Sequence, residues 1–285
     1  THGSGFCNMG IFLAKERELT KADGVDLEFV VTPSNTEITT MFGAGLVDIS
    51  MIPYSNFMTL YDAGAPVRIV AGGGVQGCII VAKEGIKSAA DLKGKTFGTF
   101  QADTLEVLPY DYLKKAGMTF QDVDVRYLNT SPELAQAFIA GQNDAAMTYE
   151  PYLSSVREAK DAGRIIATTI DYPAVMDTFG CTPDFLSKNP EAAKALAKSY
   201  QEALDLIKAE PEKAFGIMGA DVNQTAEQFK GSAQYLEWQD LAAAKTFFAG
   251  EYLDFAGKAG KLMVEMGLLK SEPDVAALID TQFIQ

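Results

Sequence analysis

One histidine and three cysteines are all that this chain of 285 residues offers of the side chains that most often carry nucleophilic, redox or metal chemistry. The lone His2 has no credible triad partners, and the chain lacks a P-loop, a Gly-x-Gly-x-x-Gly strand–turn–helix unit and a Gly-x-Ser-x-Gly elbow. Cys7, Cys78 and Cys181 are spaced neither as a disulfide framework nor as a zinc site, so free thiols are favoured. No apolar run reaches the roughly 18 residues that span a bilayer, so the chain is not expected to be transmembrane. No basic block exists either. With 24 Lys and Arg against 38 Asp and Glu, the formal charge of −14 argues against a nucleic-acid groove or an anionic membrane footprint. Charge alone does not fix a ligand's sign, because a helix start can still hold an anion. A signal sequence is also missing. Thr1-His2-Gly3-Ser4-Gly5 reads as a strand-to-helix turn with no strand before it. The expectation is that a first strand, with any leader, precedes this stretch, so location is left open.

What the chain does contain is a repeated turn. Ala44-Gly45-Leu46-Val47-Asp48-Ile49 returns as Ala140-Gly141-Gln142-Asn143-Asp144-Ala145. Each copy ends an apolar-periodic stretch and opens a short buried one, which reads as a helix stopped by glycine and a parallel strand re-entering a sheet. Polar-aromatic turns follow both, Pro53-Tyr54-Ser55-Asn56 and Thr148-Tyr149-Glu150-Pro151-Tyr152. The carboxyl ends of parallel strands are where open α/β sheets hold ligands, so two such units predict two lobes facing something between them.

Around the repeats, strand and helix periodicities alternate. Val25, Leu27, Phe29 and Val31 alternate with Asp26 and Glu28 as a strand, Thr36 to Phe42 forms a helix, and Val67 to Ala71 is a further strand. Gly72-Gly73-Gly74 and Gly77 break the chain before a strand at 78–82, and the pattern restarts after Lys95. Beyond Asp171 the chain is helical, with stripes such as Phe247, Phe248, Leu253 and Phe255 that read as core faces packing back on the first lobe. The division expected is 1–82 as lobe 1, 83–171 as lobe 2 and 172–285 as a return segment and helical tail. Two adjacent crossings, near Ala82-Lys83 and Thr169-Asp171, make a hinge with a cleft between facing strand ends. Cys78 and Cys181 can approach one another there, although nothing dictates a bond.

This order of motifs resembles the periplasmic solute-binding proteins of the nitrate, sulfonate and taurine ABC importers, a family that includes binders of thiamine pyrimidine precursors. The likeness rests on both Ala-Gly turns, on Gly64 to Ala71, on Gly85-Ile86-Lys87-Ser88-Ala89-Ala90-Asp91-Leu92-Lys93-Gly94-Lys95, on Tyr149-Glu150-Pro151 and on Phe185-Leu186-Ser187-Lys188-Asn189-Pro190-Glu191. It covers nearly the whole chain. It implies an α/β, two-lobed periplasmic binding protein fold, type II-like, with a hinge and an interlobe cleft. It also implies capture of a small-molecule solute for a cognate ABC permease, by a monomer in the periplasm or at the extracytoplasmic face. Tyr149 stands where many relatives have tryptophan, and 172–181 lacks obvious counterparts.

The candidate ligand-binding residues are drawn from both lobes. His2 and Ser4 sit before the first helix, whose N–H groups can meet an oxyanion; His2 can equally be a surface residue. Tyr54 is a candidate wall, Ser55 a contact or a cap, and Gln76 ends the glycine loop. Phe100, Gln101, Asp103 and Thr104 are the second lobe's counterpart of Ser4, with Thr104 also a natural N-cap and Asp103 favourable at a helix start without any ligand. Tyr149 and Glu150 form the strongest polar pair; Glu150 can take an amine or a ring N–H or equally pair with a surface lysine, and Asp177, just past the return crossing, raises the same question. Three acids make a bare anion such as nitrate less attractive than an organic solute with a donor end and an acceptor end. A sulfonate or taurine-like compound is placed ahead of a pyrimidine precursor or nitrate. No catalytic residue, metal or cofactor is expected. The rival is an enzyme of pyrimidine-precursor synthesis on the same fold, for which Phe179-Gly180-Cys181-Thr182 is at most a remnant of a metal-handling loop.

Overall fold

The computed structural model describes residues 9–284 except 31, 33, 34, 76, 102, 162, 173 and 174, with the backbone alone at 9, 35 and 75. Two separate sheets organise it. The first lobe contains α1 (Met9–Glu16), α2 (Asn35–Gly43), β1 (Ile49–Pro53), α3 (Tyr54–Asp62) and β2 (Arg68–Val75). The second contains β3 (Ile79–Ala82), β4 (Thr96–Thr99), α4 (Val107–Lys115), β5 (Asp124–Tyr127), α5 (Ser131–Ile139), β6 (Ala145–Thr148), α6 (Tyr152–Glu158) and β7 (Arg164–Thr168). The chain then returns through β8 (Met176–Cys181) to α7 (Pro183–Lys188), α8 (Pro190–Ala209), α9 (Pro211–Asp221), α10 (Ala226–Ala233), β9 (Glu237–Trp238), α11 (Leu241–Thr246) and α12 (Tyr252–Glu265). The first sheet has the order β1-β8-β2-β9, the second β5-β4-β6-β3-β7.

The repeated turn works as its sequence suggests. Gly45 and Gly141 have φ of 69° and 73° and lie just past α2 and α5. In both copies this residue and the next donate back into the last helical turn, Gly45 to Phe42 and Leu46 to Met41, Gly141 to Phe138 and Gln142 to Ala137. Only the second copy enters a parallel pair. β6 runs parallel to β4, tied by the Asp144 carboxylate, which accepts from the Thr96 N–H and hydroxyl at 2.9 Å each. β1 instead pairs antiparallel with β8, its one strand partner among the described residues. The Ser88-to-Lys95 signature is likewise structural: the Asp91 carboxylate accepts from the Lys87 and Ser88 N–H groups and the Ser88 hydroxyl, shaping the turn before β4.

Three expectations are corrected. Residues 25–30 form no strand; Asp26 and Glu28 are exposed while Val25, Leu27 and Phe29 are half-buried, so the alternation reflects an edge-on segment. That segment lines a groove of about 460 Å³ with Leu46, Ile49, Phe185 and Leu196. Gly72–Gly74 do not break the chain but lie inside β2, where the missing side chains leave room for the Gln239 side chain at 72, for Met51 and the Asp177 carbonyl at 73 and for the Glu237–Trp238 backbone at 74; the Tyr200 hydroxyl donates to the Gly73 carbonyl. Finally, β3 belongs to the second sheet, so the outward crossing falls between β2 and β3 rather than near 82, and the return falls between β7 and β8.

The two crossings touch. The Cys78 N–H donates to the Thr169 hydroxyl at 3.1 Å, and the Thr169 N–H donates to the Cys78 carbonyl at 2.9 Å. Cys78 and Cys181 are buried free thiols, but Cys181 sits at the far end of β8 opposite Ile49 and Arg68, away from the hinge. The helical tail packs α8 on α1, as expected, and the Phe179 and Tyr200 rings meet edge-on at 5.1 Å. It also reaches lobe 2, where Tyr235 packs on the cluster of Ile79, Val81, Phe138 and Leu153.

Candidate functional site

The strand registers bring the candidate residues to facing edges. In lobe 1 the ends of β1 and β2 meet the start of β8, with Pro53 and Gly74 each opposite Asp177. In lobe 2, β4 and β6 run parallel, so Phe100 to Thr104 and Tyr149 emerge from one edge. β3 begins and β7 ends at that same edge, as the pairing of Ile79 with both Thr148 and Thr168 requires. The hinge and the cleft floor therefore share a boundary.

A buried hydrogen bond crosses the cleft. The Thr104 hydroxyl donates to the Asn56 side-chain oxygen at 2.7 Å, and the Asn56 amide donates to the Thr39 hydroxyl at 3.0 Å. Thr104 thus joins the lobes instead of capping: the cap is Asp103, whose carboxylate accepts from the Leu105 N–H at 2.8 Å. At the rim, Lys114 of α4 pairs with Glu265 of α12.

Asp103 and Asp177 bring carboxylates from opposite lobes. Both act on the Cys78 thiol, which burial first, then Asp177 and Asp103, push well above its ordinary value. Burial raises Asp103 itself to about 6, opposed by its bond from the Leu105 N–H. Asp177 is 1% exposed. Burial also raises the Tyr149 phenol, and Tyr152, Cys78 and Asp103 add to that shift. Because the folded value of Asp103 lies above its ordinary 3.8, protonation favours the closed fold. This contribution is fully present below about pH 4 and is lost as pH rises through about 6. Asp103→Asn should therefore gain stability relative to the parent between pH 4 and 6.5, read from unfolding midpoints against pH. A constant difference across that window would place the carboxylate in water.

The remaining candidates divide. Tyr54, a candidate wall, is fully buried and packs as a core residue against Tyr252 and Phe255 of α12. Ser55 is buried and its hydroxyl has no hydrogen-bond partner; Phe100 is buried and Gln101 exposed. His2, Ser4 and Gln76 lie outside the described residues, as does Cys7. Glu150 is corrected: it serves structure. Its Oε1 accepts from Arg157 at 2.6 Å, and its Oε2 accepts from the Ser154 N–H and hydroxyl at 3.0 and 2.8 Å. Ser154 and Arg157 in turn contact Ser232, joining α6 to the tail. The cation is Arg157, seven residues on, rather than a surface lysine.

The chain matches the NMT1/THI5-like description over residues 7–214. It belongs to the NMT1/THI5-like family. Among relatives of this NMT1/THI5-like chain, a Brucella abortus (strain 2308) protein, provisionally named as a binding protein, is 30% identical over 72% of the chain. The match spans 65% of that relative's own length. The Saccharomyces cerevisiae (strain ATCC 204508 / S288c) 4-amino-5-hydroxymethyl-2-methylpyrimidine phosphate synthase THI5 is 27% identical over 72% of the chain and 64% of its own length. The periplasmic aliphatic sulphonate binding protein SsuA from Escherichia coli superposes with a TM-score of 0.81 at 18% identity, over 98% of this chain and 90% of its own. The fold is that of the two-lobed periplasmic binding proteins. Among the described residues, no three His, Cys, Asp or Glu side chains form a group able to hold a metal, and Cys181 is enclosed within the β8 pairings. The described residues thus do not fit a resident metal at the 179–182 segment. Nor is any helix among them long and apolar enough to cross a membrane.

One residue of the lobe-1 sheet edge beside Asp177 was missed. Trp238 enters the lobe-1 sheet through the two-residue β9, too short to show any periodicity inside a tail that reads as helical.

Proposed function

We propose that this chain is the extracytoplasmic solute-binding component of an ABC importer, and that it captures a small organic solute presenting an amine or ring N–H. The observation that carries the reading is the pair of carboxylates, Asp103 and Asp177, one from each lobe and both near enough to Cys78 to push its thiol up. Their proximity favours a donor-bearing or cationic group and disfavours a bare anion. The buried bond between Thr104 and Asn56 and the paired crossings support capture by lobe closure, which removes water and strengthens polar contacts. An acid-lined cleft favours taurine-like or aminopyrimidine solutes over nitrate or an amine-free alkanesulfonate. An enzymatic role is disfavoured because Asp103 caps a helix and Thr104 and Asn56 join the lobes, which leaves no nucleophile and base in contact among them.

Titration calorimetry tests this against 4-amino-5-hydroxymethyl-2-methylpyrimidine, taurine, an alkanesulfonate and nitrate. An amine-bearing compound should bind, and Asp177→Asn should weaken it by about 10- to 100-fold, the worth of a charge-assisted hydrogen bond. Binding of nitrate alone, tightened by Asp177→Asn through relief of repulsion, would reverse the assignment.

A further inference from the structure

We propose that Trp238 is a solute-contacting, specificity-determining residue, its indole N–H donating to an acceptor atom on the solute. This rests on the reading of the cleft as a solute site. Trp238 pairs with Gly74, and Gly74 pairs on its other side with Asp177. The three form one rung at the carboxyl end of β2. Paired residues of a ladder share a face of a sheet, and on that rule we set the Asp177 carboxylate and the Trp238 indole on one side of the glycine, next to the irregularity between Gly72 and Gly74. Two strand spacings separate their backbones by about 10 Å, enough for a small heterocycle or an amino-sulfonate. The glycine is needed for the approach of β9, since a Cβ at 74 would come within 3.1 Å of the Trp238 Cα.

The indole nitrogen supplies the second observation. Among the described residues, Nε1 of Trp238 is buried without a hydrogen-bond partner, and so is the side-chain oxygen of its neighbour Gln239. Buried donors are nearly always paired, and one left unpaired is costly. Core packing explains the position of the ring, which lies against the main hydrophobic cluster, but not the orphaned N–H at its edge. A solute acceptor on this rung, with its nitrogen end toward Asp177, satisfies the donor. The same solute would then be read for an acceptor at one end and a donor at the other.

Trp238 is the only tryptophan of the chain, so its fluorescence reports this position alone. The first arm needs no solute. Thr104→Arg places a long cation at the buried cross-cleft contact and should wedge the lobes apart, with opening verified by X-ray scattering. Acrylamide quenching of Trp238 should then rise about twofold or more over the parent. Unchanged quenching in a verified open form would seal the indole in the core and overturn the proposal. The second arm measures Trp238→Phe, which keeps the ring bulk, by calorimetry against the four compounds above. Whichever compound the parent binds should bind about tenfold more weakly to the variant, with little change in unfolding temperature. Equal affinity in parent and variant would overturn the role of Trp238 and leave the cleft reading intact. If none of the four binds the parent, the proposed solute class fails, while the quenching arm still decides the place of Trp238.

Discussion

Arg157→Met is expected to destabilise the protein by about 3 kcal/mol, against well under half of that for Glu150→Gln. The asymmetry follows from burial. The Glu150 side chain is 2% exposed, whereas that of Arg157 is 35% exposed and lies over the Tyr235 ring at 5.5 Å. Removing the cation strands a buried carboxylate with only the Ser154 donors, and breaking such a pair from one side costs roughly 3–5 kcal/mol. Partial exposure of Arg157 puts this case at the lower end. Glu150→Gln keeps an oxygen for Ser154, and the released guanidinium can turn to water and to Ser232. Urea denaturation of both variants checks the order, with equal m-values needed for the comparison. Equal, small losses would mean that water reaches Glu150 once Arg157 is gone. The arginine also joins α6 to α10, so its loss should loosen the contact between lobe 2 and the tail.

Gly180→Val should be comparably severe. A Cβ at 180 would overlap the Phe57 ring, with even the third-nearest ring carbon at 2.8 Å. Gly180 lies in β8, between Ser50 of β1 and Ile69 of β2, and Phe57 is fully buried against Phe42. The ring has no direction in which to yield, and overpacking a dense core costs about 1–3 kcal/mol, more where a backbone must shift. About 3 kcal/mol is expected, measured by chemical denaturation. Phe57→Leu in the same chain should recover part of it by making room, and a double variant no better than the single would assign the loss to β8 itself.

The two lobes, the glycine-stopped helices and the capped turn at Ser88 to Lys95 were legible because each depends on local chemistry: a left-handed residue after a helix, or a carboxylate closing on nearby N–H groups. What needed distant partners was not. Val25 to Val31 alternates as a strand does, yet alternation records which side is buried and says nothing about whether a neighbour supplies the ladder. The three glycines before Val75 read as a break because their purpose, admitting the Asp177 carbonyl, the Gln239 side chain and the backbone of β9, comes mostly from residues a hundred or more positions away. Glu150 looked like a ligand group because its partner is on the next helical turns, while Asp103 and Asp177 became a pair only through folding. Trp238 was hidden by its surroundings: a two-residue strand carries no pattern.

The order of strands in the first sheet also governs the order of assembly. β8 lies between β1 and β2, so those two strands have no contact in the ladder until residues 176–181 exist. The second sheet, by contrast, is complete once residue 168 has been made. On the ribosome lobe 2 can therefore fold as a finished insertion while the half-lobe that precedes it waits, its apolar edges open, for a strand about a hundred residues downstream. The nascent chain is most exposed to aggregation during that interval, which ends when β8 inserts between β1 and β2, before β9 and the tail close over the same lobe.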